Sequence, residues 1–350
     1  MTKSELVSVV IPTYNSANFI RECLYATLTQ TYSNIEILII DDGSNDATID
    51  ICKELISKDK RIKLFLSSKN GVSAARNIGI ENATGKFIVF FDADDRPEIE
   101  LIENYIKAVN EWNNRSFSFV ACGMFYDNVY HRKVDDKIYI LESDYGFIEG
   151  ENYLLKRNYA ATLAWLKIFN FVTNKFYDNE LIKACNIRFD ENVNIGEDLK
   201  FNLDYLDRSS GYIGMINRPL YHYIKRSEDS LSFTYHENDI EDTKAVYRRF
   251  LEWESIQEDV TQDNILVIKS IFLTDWTSRL TTMYDTYKKE GKLSLCRMLL
   301  NTEVGSYEFQ NMLKEVYKAK KMSFIRFITL RTKSIDVFCF FRYLYQMSKG

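Results

Sequence analysis

With only three prolines and three histidines in 350 residues, the chain is narrowed as much by what it lacks as by what it carries. Its six cysteines (Cys23, Cys52, Cys122, Cys185, Cys296 and Cys339) lie far apart, with no CxxC pair and no histidine at zinc-finger spacing. A structural zinc module and a disulfide framework are thereby excluded, and free thiols in a reducing cytosol are expected. No uninterrupted run of about 20 apolar residues exists, so no transmembrane helix is expected. The start Met1-Thr2-Lys3-Ser4-Glu5 has neither the apolar length nor the cleavage site of a signal peptide. The Gly-Lys-Ser/Thr ending of a P-loop is missing, and no GxGxxG follows the first apolar run, which counts against a Rossmann dinucleotide site. A formal net charge of -5 argues against an all-over nucleic-acid binder.

What is present is an ordinary globular composition, 46% hydrophobic, long enough for two domains or one large domain with an appendage. Short apolar, β-rich runs begin at residues 7, 35, 62 and 87, namely Val7 to Ile11, Ile35 to Ile40, Ile62 to Leu66 and Phe87 to Phe91. Between them, stripes such as Phe19/Ile20, Cys23/Leu24, Leu28 and Ile49, Cys52, Leu55/Ile56 have helical spacing. Strands apolar throughout with helices between them imply an α/β fold, a mainly parallel central sheet flanked by helices. Right-handed crossovers then bring every strand's carboxyl end to one edge, where open α/β sheets bind ligands. Three regions are expected: a nucleotide-binding half over 1–110, a second catalytic half over 111–236, and a helical C-terminal region over 237–350. A helix is expected from Pro97, helices over about 149–185, another from Glu197, and strands over Tyr212 to Ile216 and Pro219 to Ile224.

The four segments at that edge carry the chemistry. Phe87 to Phe91 runs into Asp92-Ala93-Asp94-Asp95, and three carboxylates in four residues need a counter-charge. A divalent cation supplies one and recruits phosphate oxygens. On this reading Asp94 ligates the metal, while Asp92 and Asp95 give ribose or further metal contacts. The alternative is a helix cap at Asp94 or Asp95. Asp42, in Asp41-Asp42-Gly43-Ser44, reads either as part of a helix start or as acceptor for a nucleotide-base N–H, with Pro12 and Tyr14 as a wall. Asn70 to Asn77 opens a helix whose Arg76 either faces phosphates or pairs with a carboxylate. Asp198, in Gly196-Glu197-Asp198, caps a helix or serves as the base that a transferase acting on a hydroxyl requires. In Tyr221 to Ser227, His222 is either a packed residue or a further metal ligand, and Lys225 and Arg226 are candidates to close over a diphosphate.

These motifs together resemble glycosyltransferase family 2, the inverting class with the GT-A fold. The matching stretches are VSVVIPTYNSANFIRECLYATLTQTYSNIEILIIDDGSNDAT, NGVSAARNIGIENATGKFIVFFDADD and NIGEDLKF, in the expected order over roughly residues 6 to 205. The resemblance implies a nucleotide-sugar donor, most often UDP-linked, with Mn²⁺ or Mg²⁺ at Asp92 and Asp94. It implies base contact by Asp42, a nucleotide contact by Tyr14, and Asp198 as catalytic base. Asn174-Lys175, with Glu197, falls where the family has its acceptor side, although Thr173 stands where a Trp commonly precedes the Asn-Lys pair. The expected product is a surface polysaccharide or lipid-linked oligosaccharide. The rival readings are a sugar nucleotidyltransferase, whose glycine-rich loop is absent, and a non-catalytic sugar-nucleotide-binding scaffold subunit.

Between Lys314 and Gly350 nine Lys/Arg stand against two acidic residues, among many aromatics. Such a segment suits the inner face of an anionic membrane, in a cytoplasmic protein that is peripheral there. The alternative is a helical subdomain packed on the core or on a second copy in a homo-oligomer.

Overall fold

A computed structural model of the chain describes residues 4–112, 115–131, 138–145, 152–225, 235–332 and 337, with backbone alone for 128–131 and 138–145. The chain divides into two compact units, Met1–Ser227 and Glu228–Gly350. The first opens with the repeating pattern that the sequence predicts: β1 (Val7–Thr13), α1 (Ile20–Leu28), β2 (Ile35–Asp41), α2 (Thr48–Ile56), β3 (Ile62–Leu66), α3 (Val72–Asn82) and β4 (Phe87–Phe90). It continues through β5 (Arg96–Pro97), α4 (Leu101–Glu111), β6 (Phe117–His131), β7 (Ile138–Tyr145), β8 (Tyr153–Leu155), α5 (Ala160–Trp165), β9 (Lys175–Asp178), α6 (Asn179–Ala184), α7 (Glu197–Arg208) and β10 (Tyr212–Lys225).

The sheet runs β3-β2-β1-β4-β9-β6-β10-β5, with β7 beside β6 and β8 beside β10. Its first four strands are parallel, as expected of βα units. β9 enters antiparallel between β4 and β6, so the second half is mixed. Alternate residues of β1 serve opposite faces. Val7, Val9 and Ile11 join Ile20 and Leu24 of α1 and Leu101 and Tyr105 of α4 in one buried cluster. Val10, on the other face, meets α3 at Gly79, where an added Cβ would stand 2.3 Å from Val10 Cγ1. On that same face Phe90 packs edge-on to Phe189 (5.3 Å) and Phe201 of α7 (5.8 Å), which stack on each other at 4.1 Å. These contacts bring the start of α7 to the end of β4.

Three expectations fail for tertiary reasons. The helix expected from Pro97 begins only at Leu101, because Arg96 and Pro97 pair with His222 and Tyr221 of β10. Within the stretch expected to be helical, Tyr153–Leu155 is a strand on β10 and Lys175–Asp178 is another, its Phe176 stacked between Phe87 (4.5 Å) and Tyr105 (5.1 Å). The two strands expected over Tyr212 to Ile224 are one, broken in register at Pro219, a residue tolerated at such irregularities.

The second unit is helical: α8 (Asp239–Ser255), α9 (Gln262–Lys289), α10 (Leu293–Gly305), α11 (Tyr307–Lys318) and α12 (Phe324–Arg331). Phe272 of α9 stacks between Tyr247 (5.1 Å) and Trp276 (5.2 Å) at its centre. Among the described residues no helix is long and apolar enough to cross a membrane, and the cysteines form no disulfide.

The contact at Gly79 leaves no room for a methyl group, so Gly79→Ala should push α3 off β1 and cost about 1–3 kcal/mol. A fall in the urea midpoint at unchanged slope is the expected reading. An unaltered midpoint would show that α3 shifts freely along β1.

Candidate active site

Asp42, buried at the end of β2, accepts the backbone N–H groups of Asn70 (2.9 Å) and Gly71 (2.7 Å), one on each carboxylate oxygen. It fastens the turn before α3 and does not cap α2, whose N-cap is Ala47 without a side-chain bond. Beside it, Pro12 is buried in β1 opposite Ile40, while Tyr14 is 41% exposed with Lys69 Nζ 5.0 Å above its ring.

Past β4, Asp92 is partly exposed; its N–H donates to the Tyr221 hydroxyl (3.0 Å) and its Oδ1 accepts from Arg76 Nη2 (2.9 Å). Asp94 is half-buried. Asp95 turns inward, 3% exposed, and accepts the Ile224 N–H of β10 (2.9 Å) on Oδ1. Burial, and then Asp94 and Asp92, hold its carboxyl well above the usual carboxylate range. Neither Asp94 nor Asp95 caps α4, whose N-cap is Glu100.

Arg76 is 3% exposed and faces carboxylates. Its Nη1 donates to Asp198 Oδ1 at 2.8 Å and lies 3.5 Å from Glu197 Oε1, while its Nη2 holds Asp92. One guanidinium thus joins the strand-end aspartates to the start of α7. Gly196, left-handed at φ 86°, turns the chain into α7, and no side chain caps the helix there. Asp198 Oδ2 accepts the Val172 N–H at 3.1 Å. Its carboxyl is raised by burial, opposed by Arg76 and raised further by Asp92; Glu197 is pushed up to about 7, first by burial and then by Asp198. A carboxylate with an elevated pKa and fixed geometry is what general-base chemistry near neutral pH uses.

The other sequence candidates lie elsewhere. His222 is sealed between Asp127 Oδ2 (2.8 Å from Nδ1) and Glu98 Oε1 (2.6 Å from Nε2), stacked on Phe125 at 4.3 Å. Both ring nitrogens are therefore engaged by carboxylates. Lys225 is the exposed last residue of β10, and Arg226 lies outside the described residues. Asn174 and Lys175 are wholly buried, bonded to carbonyls of residues 168–171. The sequence reading missed Tyr221, Asn202 and the Val172 N–H. Asn202 had a signal: it stands four residues after Asp198, on the same helical face.

Among the described residues no three His, Cys, Asp or Glu side chains are grouped to hold a metal. The carboxylates after β4 nonetheless fit a divalent cation whose remaining ligands come from phosphate. Hard oxygens crowd there, and Asp95 Oδ2 is buried without a partner.

The model of the family described as glycosyl transferase family 2 matches residues 8–185. The chain is 37% identical to glycosyltransferase GlyA of Streptococcus pneumoniae over 180 residues, 48% of this chain and 25% of GlyA. It spans 25% to 60% of the length of the curated relatives it matches. By structure it resembles S. aureus TarS 1-349, crystallised with UDP-GlcNAc (TM-score 0.63, 19% identity, covering 98% of this chain and 92% of that one). The mannosyltransferase PcManGT of Pyrobaculum calidifontis, in complex with GDP-Man and Mn²⁺, is more distant (TM-score 0.51, 16% identity, covering 90% and 84%). These likenesses are to the GT-A fold.

Removing Arg76 leaves three carboxylates without their shared cation. Arg76→Met should destabilise the protein by about 3–5 kcal/mol at pH 7. Glu197 and Asp198, already raised by burial and lowered by Arg76, would then stand further above their unfolded pKa values. Their contribution is then most favourable below the unfolded values, near pH 4, and is lost as pH rises through the folded values. Denaturant titrations at pH 4 and pH 7 should show the smaller loss at pH 4; equal losses would remove the electrostatic account.

Proposed function

The chain belongs to glycosyl transferase family 2, and from that premise we propose that it is an inverting glycosyltransferase using a nucleoside diphosphate sugar. The observation that carries this reading is the Arg76 bridge, which sets a raised-pKa carboxylate, Asp198, one guanidinium away from the strand-end aspartates. Asp198 takes the proton of an acceptor hydroxyl as that oxygen attacks the anomeric carbon. The bond to the diphosphate breaks on the opposite face, and configuration inverts. Asp94 and Asp92 would hold Mn²⁺ or Mg²⁺, which supplies neutralisation of charge on the departing diphosphate. Asp42 and Tyr14 frame the nucleotide base, with Tyr14 offering an exposed ring face. UDP-GlcNAc is the first donor to try, since TarS, which shares the fold, was crystallised with it. The acceptor is a hydroxyl of a glycan or lipid-linked oligosaccharide.

Release of nucleoside diphosphate across a panel of UDP-, GDP- and dTDP-sugars, with and without Mn²⁺, tests the activity. Asp198→Asn should abolish turnover while nucleotide binding persists. Undiminished turnover in that variant would remove Asp198 from the role.

A peripheral membrane contact is the accompanying proposal for the second unit. Phe324 and Ile325 of α12 are 62% and 63% exposed, close in sequence to the basic Lys318, Lys320 and Lys321. Apolar side chains flanked by cations suit an anionic bilayer surface. Co-sedimentation with vesicles of anionic phospholipid should fall in a Phe324→Ser/Ile325→Ser variant and in high salt. No binding by the unsubstituted protein would sink the idea.

A further inference from the structure

The chain between α5 and β9 passes beside the start of α7, and its carbonyls are gripped from inside the protein. Lys175 Nζ donates to Ile168 O (2.7 Å), to Phe171 O, and to Asn174 Oδ1 (3.0 Å). Asn174 Nδ2 donates to Ile168 O (3.2 Å) and, across to β6, to Cys122 O (2.8 Å). From α7, Asn202 Nδ2 donates to Phe169 O (2.7 Å) and Phe171 O (3.1 Å), and its own Oδ1 accepts the Tyr177 hydroxyl (2.5 Å). All four of these side chains are completely buried.

Placing an ammonium group in such a site costs several kcal/mol before its bonds form, and an apolar side chain of similar size serves stability as well or better. What the lysine adds is direction. Its three donors meet three acceptors, and one of them, Phe171 O, belongs to the same peptide unit as the Val172 N–H. A trans peptide is planar, with carbonyl and N–H pointing opposite ways, so pinning the oxygen fixes the hydrogen. That hydrogen is donated to Asp198 Oδ2 at 3.1 Å.

We propose that Lys175 and Asn202 are positioning residues for Asp198. By holding the Phe171 carbonyl they fix the peptide whose N–H, with Arg76 on the other oxygen, orients the carboxylate toward the acceptor hydroxyl. The inference rests on Asp198 as base and assigns to the Asn-Lys pair a role behind the base instead of contact with the acceptor. The charged groups around Asp198 are Arg76 from α3, Asp92 from the end of β4, Glu197 from its own helix and Lys175 from β9. The Val172 N–H and the lysine charge both favour ionised Asp198.

Two variants of the full chain test this, assayed with whichever nucleotide sugar turns over fastest in the donor panel. Lys175→Met should lower kcat about ten- to a hundredfold, the scale of a small misplacement of a catalytic group. The donor KM should stay within about twofold, because no donor-side group has moved. The acid limb of the kcat profile should move to higher pH, since the lysine charge that favours the ionised base is gone and the Val172 N–H is held less firmly. Tyr177→Phe, which deletes only the hydroxyl that orients the Asn202 amide, should lower kcat about three- to tenfold with the donor KM again unchanged. UDP affinity by calorimetry should match the parent in both.

A folded Lys175→Met with parental kcat and acid limb would overturn the proposal, as would kcat falling with donor KM rising and no movement of the limb. Should Lys175→Met fail to fold, Tyr177→Phe decides by the same two readouts. Asp198→Asn in the same assay separates the two levels. Its continued turnover removes the base assignment, whereas its silence beside an unaffected Lys175→Met removes only the positioning role.

Discussion

A single buried guanidinium carries the electrostatics of this molecule's sheet edge. Arg76 offers two arms to carboxylates from sequence-distant elements, Asp92 after β4 and Asp198 at the start of α7, with Glu197 at the margin of its reach. Desolvating such groups costs several kcal/mol per ion, and close opposite charge offsets that only while each partner is present. Three carboxylates, Asp92, Glu197 and Asp198, lie against this cation, and Asp94 and Asp95 follow Asp92 in the same strand-end turn. The imbalance shows in the upward shifts at Asp95, Glu197 and Asp198, where burial is the first cause and neighbouring acids add to it. A site built this way has an electrostatic demand for one more cation.

The scaffold delivers that cluster through apolar packing. Gly79 lets α3 lie against β1 so closely that Arg76, one turn earlier on the helix, reaches the strand ends. The Phe90, Phe189 and Phe201 rings draw the first turn of α7 to the same place, and the Arg76 guanidinium lies 5.2 Å over the Phe189 ring. From the opposite side Asp95 ties down β10 at Ile224, and the Asp92 N–H is held by Tyr221. The carboxylates are thus held by rigid elements, a condition for geometry to persist through a reaction.

What was legible in the sequence is what is local. The first four strands and three helices follow from periodicity, and the acidic strand ends announce themselves because charge after an apolar run is conspicuous. Legibility fails where a partner is remote. Arg76 and Asp198 are 122 residues apart, so whether Arg76 met phosphate or carboxylate was undecided until the fold joined them. Lys175 and Asn174 read as polar groups available to a ligand, yet both are sealed inside, since burial of β9 between β4 and β6 is set by strand order and not by their own character. At His222 the packed and metal-ligand readings both stood open because nothing near it in sequence discloses Glu98 and Asp127, each about a hundred residues upstream. Pro97 marked a boundary correctly in kind, but pairing with β10 made it a strand end and delayed the helix.

The capping alternative, which was open for every acidic motif, is answered by where the oxygens go. Asp198 is inside the first turn of α7 and still sends neither oxygen to that helix; Asp42 precedes α2 and binds the turn before α3 instead. At Asp42 this has a consequence for a ligand. Two backbone N–H groups occupy one lone pair on each oxygen, and a carboxylate has about four such positions, so a further donor such as a nucleobase N–H can be accepted without breaking the turn. The same two bonds fix the plane of the carboxylate, and with it the direction from which that donor must come. Residues 70 and 71 lead directly into the helix that carries Arg76. The Asp42 carboxylate and the Arg76 guanidinium are therefore joined by one short, hydrogen-bonded stretch of backbone and the first turn of α3.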